Sequence, residues 1–148
     1  MPGFLTDATN NKVLDLLFGS AAFVPPTTLY VGLAVNHANK FGVAYEPGGS
    51  GYARVALPNT STSFSTAVCG TKSNAVAVTF PAPTADWGTV QSLFLSDSPS
   101  GGTVLAMADL ATARTITAGG AAAKVAVGPP PPTGVDPDGT PGEVSNVA

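Results

Sequence analysis

Residues able to do chemistry are few in this 148-residue chain, and they do not gather. His37 is the only histidine and Cys69 the only cysteine. No serine, cysteine or glutamate near His37 makes a nucleophile–base pair of recognisable spacing, so His37 reads as a loop residue. A single cysteine excludes an intramolecular disulfide, and Cys69 in "TAVCGTK" reads as a small structural residue at a loop or strand edge. Nowhere do histidine, cysteine and carboxylates fall at metal-ligand spacing. Asp136 and Asp138 in "DPDG" begin like a calcium loop, but the other ligand positions are missing, so they read as solvated turn acids. The glycine-rich "EPGGSG" at 46–51 does not run from strand into helix, as a phosphate cradle must. Paired carboxylates for glycoside hydrolysis stand about 5–10 Å apart. Asp86 and Asp97 are the only pair that could serve, and nothing in the sequence brings them together. The expectation is a chain that is not an enzyme and carries no cofactor and no metal.

Two further groups stand out. Glu46 and Arg54 bracket the glycine loop and can pair across it; an exposed pair contributes only about 0–1 kcal/mol. Trp87, the only tryptophan, sits in "TADWGT" between Asp86 and Gly88. Asp86 can bond backbone N–H groups in a turn, Gly88 can take a conformation other residues avoid, and the indole brings a large apolar area. Asp86, Trp87 and Gly88 therefore read as a structural corner between two core strands, with a ligand platform as the alternative. "NTS" at 59–61 matches a glycosylation sequon in form alone.

The elements that position these residues can be read from periodicity. Residues 6–19 are expected to form a short helix, capped by Thr6 or Asp7 and stopped by Gly19, with Val13, Leu14, Leu17 and Phe18 on one apolar face. A helix this short is marginal alone, so its apolar face should lie on the sheet that follows. After Pro25 and Pro26 the period changes to two. "TTLYVGLAV" aligns Leu29, Val31, Leu33 and Val35. Further strands are expected in "GYARVAL", "SNAVAVTF" (with Val76, Val78 and Phe80 aligned), "TVQSLFLSD", "GTVLAMADL", "ARTITAG" and "AAAKVAVG". Seven short strands with Gly- and Pro-rich joints predict an all-β fold, an antiparallel β-sandwich of jelly-roll-like type with an N-terminal helix.

Charged residues make up only 10 % of the chain, against about 25 % in ordinary domains. A surface built instead from Ser, Thr, Ala, Gly and Asn repels its neighbours weakly, which favours assembly. Up to residue 128, Lys12, Lys40, Arg54, Lys72, Arg114 and Lys124 balance Asp7, Asp15, Glu46, Asp86, Asp97 and Asp109. The net charge of −3 therefore comes from Asp136, Asp138 and Glu143. With no basic patch, nucleic acid is not an expected partner. No apolar run is long enough to span a membrane, and no signal peptide is evident, so synthesis in a cytoplasm is expected. At Gly128 the composition breaks into "GPPPPTGVDPDGTPGEVSNVA". The domain reading is therefore 1–128 for helix plus sandwich and 129–148 for an extended, acidic, Pro-rich arm.

Several segments in this order, "TTLYVGLAV", "EPGGSGYARVAL", "VTFPAPTADWGTVQSLFLSDSPSGGTVLAMADL" and "RTITAGGAAAKVAVG", resemble a family of small virion structural proteins of tailed bacteriophages, usually described as tail fibre or structural proteins. The resemblance covers roughly residues 10–128; the Pro-rich end is not part of the pattern. It implies a virion component, on the exterior of the phage particle and made in the host cytoplasm. Joined to the uncharged body and the arm, it favours a capsid decoration (cement) protein. Such a protein binds the major capsid protein and neighbouring copies of itself as a homo-oligomer, with a trimer as the leading case. Candidate partner-binding residues are then Pro129, Pro130, Pro131, Pro132, Val135, Asp136, Asp138, Glu143 and Val147, since arms that order on binding cover large surfaces. The alternative is a tail-fibre or baseplate component that binds host surface glycans by stacking Tyr45, Tyr52 or Trp87 on sugar rings.

Overall fold

The period-two run after Pro26 forms the centre of the fold. A computed structural model describes residues 3–128. Its elements are β1 (Phe4–Leu5), α1 (Asp7–Gly19), β2 (Thr28–Ala34), β3 (Val55–Pro58), β4 (Val78–Thr79), β5 (Gly88–Ser96), β6 (Val104–Ile116) and β7 (Lys124–Val125). Five strands make an antiparallel sheet in the order β1-β6-β5-β2-β3, and β4 pairs with β7 in a second, two-stranded sheet. The arm residues Pro129, Pro130, Pro131, Pro132, Val135, Asp136, Asp138, Glu143 and Val147 lie outside the described residues.

Alternation sorts the side chains. Leu29, Val31 and Leu33 of β2, Leu57 of β3 and Val90 of β5 face a second layer that contributes Phe64, Val78, Phe80 and Trp87. Burying each such side chain contributes about 1.5–3 kcal/mol. The fold is thus the expected all-β antiparallel sandwich, with unequal layers: most of the second layer is turn and bridge rather than sheet. The opposite face of the main sheet holds a smaller cluster of Ala34, Phe94 and Met107 under the loop of residues 36–45. Phe94 lies across from Gly32, where any Cβ would collide with its ring.

Four expectations change in kind, and the strands expected in "GYARVAL" and "AAAKVAVG" shorten to β3 and β7. The "SNAVAVTF" strand shrinks to Val78–Thr79; Val78 and Phe80 are buried, but Val76 faces outward. The strands expected in "GTVLAMADL" and "ARTITAG" are one, β6. Val90 pairs with Arg114 and Ser92 with Asp109, so the intervening β6 residues bulge out opposite Gln91. Thr6 occupies the N-cap position of α1, but its hydroxyl donates to Val104 O (2.7 Å) instead of accepting from the helix, and Ser20 rather than Gly19 takes the left-handed stop. The fourth concerns what α1 covers. Only Thr9 is buried along the helix; Leu14, Leu16, Leu17 and Phe18 stay exposed, so the apolar face does not lie on the sheet.

Candidate interaction surface

Trp87 closes the corner that leads into β5. Its N–H bonds Ile116 O, its indole Nε1 donates to Ser50 O (3.1 Å), and its ring meets Tyr52 edge-on at 5.4 Å. Asp86 Oδ1 accepts from Ala118 N (2.8 Å), and Gly88 has φ +79°, where other residues are strained. At 3 % exposed, Trp87 offers no face to a ligand. Tyr52 is half-buried, with its hydroxyl bonded to Glu46 and Leu33 and its ring against Trp87, so Tyr45, at 64 % exposed, is the most open of the three named aromatics.

Below that corner, the Glu46–Arg54 pair is deeper than its spacing suggests. Arg54 Nε donates to Glu46 Oε1 (2.9 Å) and Nη2 to Oε2 (2.8 Å), and the Arg54 side chain is only 5 % exposed. Nη1 donates to Ser98 O (2.7 Å), Gly101 O (2.8 Å) and Ser96 Oγ (3.0 Å), pinning the β5–β6 hairpin. The guanidinium carbon lies 5.0 Å from the centre of the Phe94 ring. Tyr52 OH donates to Glu46 Oε1 (2.8 Å) and accepts from Leu33 N (3.0 Å). Burial pushes the Glu46 carboxyl up. The hydrogen bonds from Arg54 and Tyr52, together with the Arg54 charge, outweigh it and hold the group below its ordinary value. Burial drives the Tyr52 phenol well above its usual range, and the neighbouring carboxylate adds to the shift. Hydrogen bonding to Glu46 raises Arg54. This cluster is a clamp, with every group committed to the fold.

The loop of residues 36–45 is rigid by construction. Asn36 Nδ2 donates to Val43 O (2.9 Å), and its Oδ1 accepts from Tyr45 N (2.7 Å). Asn39 bonds both the N–H (3.0 Å) and the carbonyl (2.7 Å) of Val43. Asp109 Oδ1 accepts from Ala38 N (2.7 Å) and stands 3.3 Å from His37 Nδ1. His37 is therefore a loop residue beside a strand acid. The loop displays Phe41 (83 % exposed), Val43 and Tyr45. Nothing in the sequence marked Phe41; it is an isolated aromatic between Lys40 and Gly42.

The remaining features are dispersed. Asp86 and Asp97 flank opposite ends of β5, about 30 Å apart at strand rise. Asp97 Oδ1 accepts from Thr103 N (2.7 Å) within its own turn. Cys69 is exposed at the tip of a two-residue hairpin, with Val68 and Thr71 exchanging backbone bonds. Among the described residues no His, Cys, Asp and Glu side chains come together as a metal-binding set, and no helix is long and apolar enough to cross a membrane. An apolar groove of about 190 Å³ runs beside the foot of α1, between Leu5, Phe23, Pro25, Leu29 and Leu105.

Among curated proteins, none matches the chain. A family model described as "Podophage GP4 fiber I protein gp80" matches residues 5–129, nearly all of the described structure. The match runs from β1 to the end of the sandwich and takes in the Glu46–Arg54 clamp and the Trp87 corner, and by it this chain belongs to that phage fibre family.

Proposed function

We propose that this chain is a non-enzymatic structural component of a podophage tail fibre, working as a rigid module within an assembly. The observation that carries the reading is the placement of its large apolar side chains. Phe18, Val24 and Phe41 are each more than 80 % exposed, while Glu46, Tyr52, Arg54, Asp86 and Asp97 are tied into turns and the clamp. A free domain with so few charges gains little from such a surface; a subunit covered by neighbours does. The fibre assignment is favoured over capsid decoration because the family match carries a fibre description. The decoration reading leaned on the arm at 129–148, which lies outside the described residues. Antibody against the purified chain, imaged on intact particles, tests the proposal. Label on the tail fibres supports it, and label across the head shell replaces it with the decoration reading.

A second reading concerns what the fibre touches. The loop of residues 36–45 holds Tyr45 and Phe41 outward on a frame already ordered by Asn36 and Asn39, so little entropy is lost on contact. That favours host surface glycans meeting this loop through ring stacking.

A further inference from the structure

Gly128, the last described residue, leaves the fold near the apolar groove beside α1. Its N–H bonds Asn74 O (3.1 Å), Asn74 bridges to Phe64, and Phe64 N bonds Thr60 O (3.2 Å), one residue from Asn59 on the groove wall. At the usual spacings of paired, turn and successive residues, that route is no longer than about 20 Å. The groove is walled chiefly by Leu5, Phe23, Pro25, Leu29 and Leu105, so its lining is almost wholly apolar. Lys12 stands at its rim, with its ammonium 5.6 Å from the centre of the Phe23 ring. Asp15 lies one turn further along α1, yet Lys12 makes no ion pair among the described residues.

We propose that this groove is the docking site of the chain's own segment Pro129–Asp138, with Lys12 meeting its acidic end. Three observations select that occupant. The first is reach. At about 3.1 Å per residue, ten residues of extended proline-rich chain span about 31 Å, enough to follow the route from Gly128 past Asn59 and into the groove. The second is chemistry. "PPPPTGVDPD" brings five prolines and one valine, small apolar groups with no large side chain for a core of their own. Proline-rich segments dock in apolar grooves that carry an aromatic ring, as Phe23 does here, and with φ already fixed they lose little entropy in doing so. The third is charge. Up to residue 128 the chain is neutral, and Asp136 and Asp138 supply two of its three net negative charges. Lys12, without an ion pair at the groove rim, is their complement.

The test is paramagnetic broadening in the full chain. A nitroxide is attached at Thr140→Cys in a Cys69→Ser background, and the leucine and isoleucine methyls are labelled with carbon-13. The signals of Leu5 and Leu105 should lose most of their intensity, while Ile116, at the far end of β6, stays sharp. Lys12→Glu should restore the lost intensity and Lys12→Arg should not. Unchanged Trp87 fluorescence in each variant reports an intact core. Equal broadening at Leu105 and Ile116, or broadening that survives Lys12→Glu, overturns the proposal. A mixture of spin-labelled chain without carbon-13 and carbon-13 chain without the nitroxide should show sharp signals. Broadening there would put a neighbour's segment in the groove and overturn the assignment to the chain's own. None of these results moves the position of the protein on the particle, so the fibre reading stands or falls separately.

Discussion

Replacing Glu46 by alanine should cost more than the loss of an ordinary surface ion pair. Arg54 is 5 % exposed and Glu46 is 29 % exposed, so removing the carboxylate strands an enclosed guanidinium. Breaking one partner of a buried pair costs about 3–5 kcal/mol. Glu46 is partly wet and water enters the vacated space, which places the expected loss near the lower end, about 3 kcal/mol. For a domain of this size that lowers the melting temperature by about 10 °C. Trp87 is the only tryptophan and is buried, so urea unfolding followed by its fluorescence reads the loss directly. In a double-mutant cycle the losses from Glu46→Ala and Arg54→Met should sum to more than the loss in the double variant, because no charge is stranded once both partners are gone. Acid supplies an independent check. Glu46 is held below its ordinary value of 4.5 in the folded state, so its contribution is complete above that value and fades as pH falls through the folded one. Glu46→Gln should flatten the acid limb of the stability curve. A loss under about 1 kcal/mol, with an unchanged acid limb, would refute the clamp as a structural element.

Trp87→Ala should destabilise by about 3–5 kcal/mol, measured by circular dichroism melting; unchanged stability would mean the indole is not part of the core. Cys69 has φ +50° and Gly70 φ +72°, the pattern of a primed hairpin turn that favours Asn-Gly. Cys69→Asn should therefore stabilise by about 0.5–1 kcal/mol in urea titration, and a loss would contradict that turn reading. Tyr45→Ala should weaken binding of the isolated chain to host-derived glycans on an array while leaving the melting curve unchanged; equal binding would remove the loop from the contact.

What the sequence makes legible is whatever local pattern decides. The alternation from Thr28 to Ala34 and the turn residues Asp86 and Gly88 around Trp87 specify a core strand and a corner before any tertiary contact is known. The bulge in β6 is invisible to periodicity because "LATA" reads as a strand end, and only pairing with β5 carries the chain through it. β1 has two residues, too few for a pattern, and is fixed by β6 alone. The depth of Arg54 depends on the hairpin of residues 97–103 folding over it, more than forty residues downstream, so spacing revealed the pair but not its burial. The apolar face of α1 was readable, yet its cover was not: the pattern says that Leu14, Leu17 and Phe18 need a surface, never which chain supplies it.

The central claim is that this chain builds a fibre. Electron cryo-microscopy of intact particles tests it most directly, by fitting the sandwich of residues 3–128 into density and counting copies. Density for the fold in the tail fibres, at a small fixed number of copies per particle, is the predicted result. The same fold repeated in hundreds of copies over the head shell would contradict it.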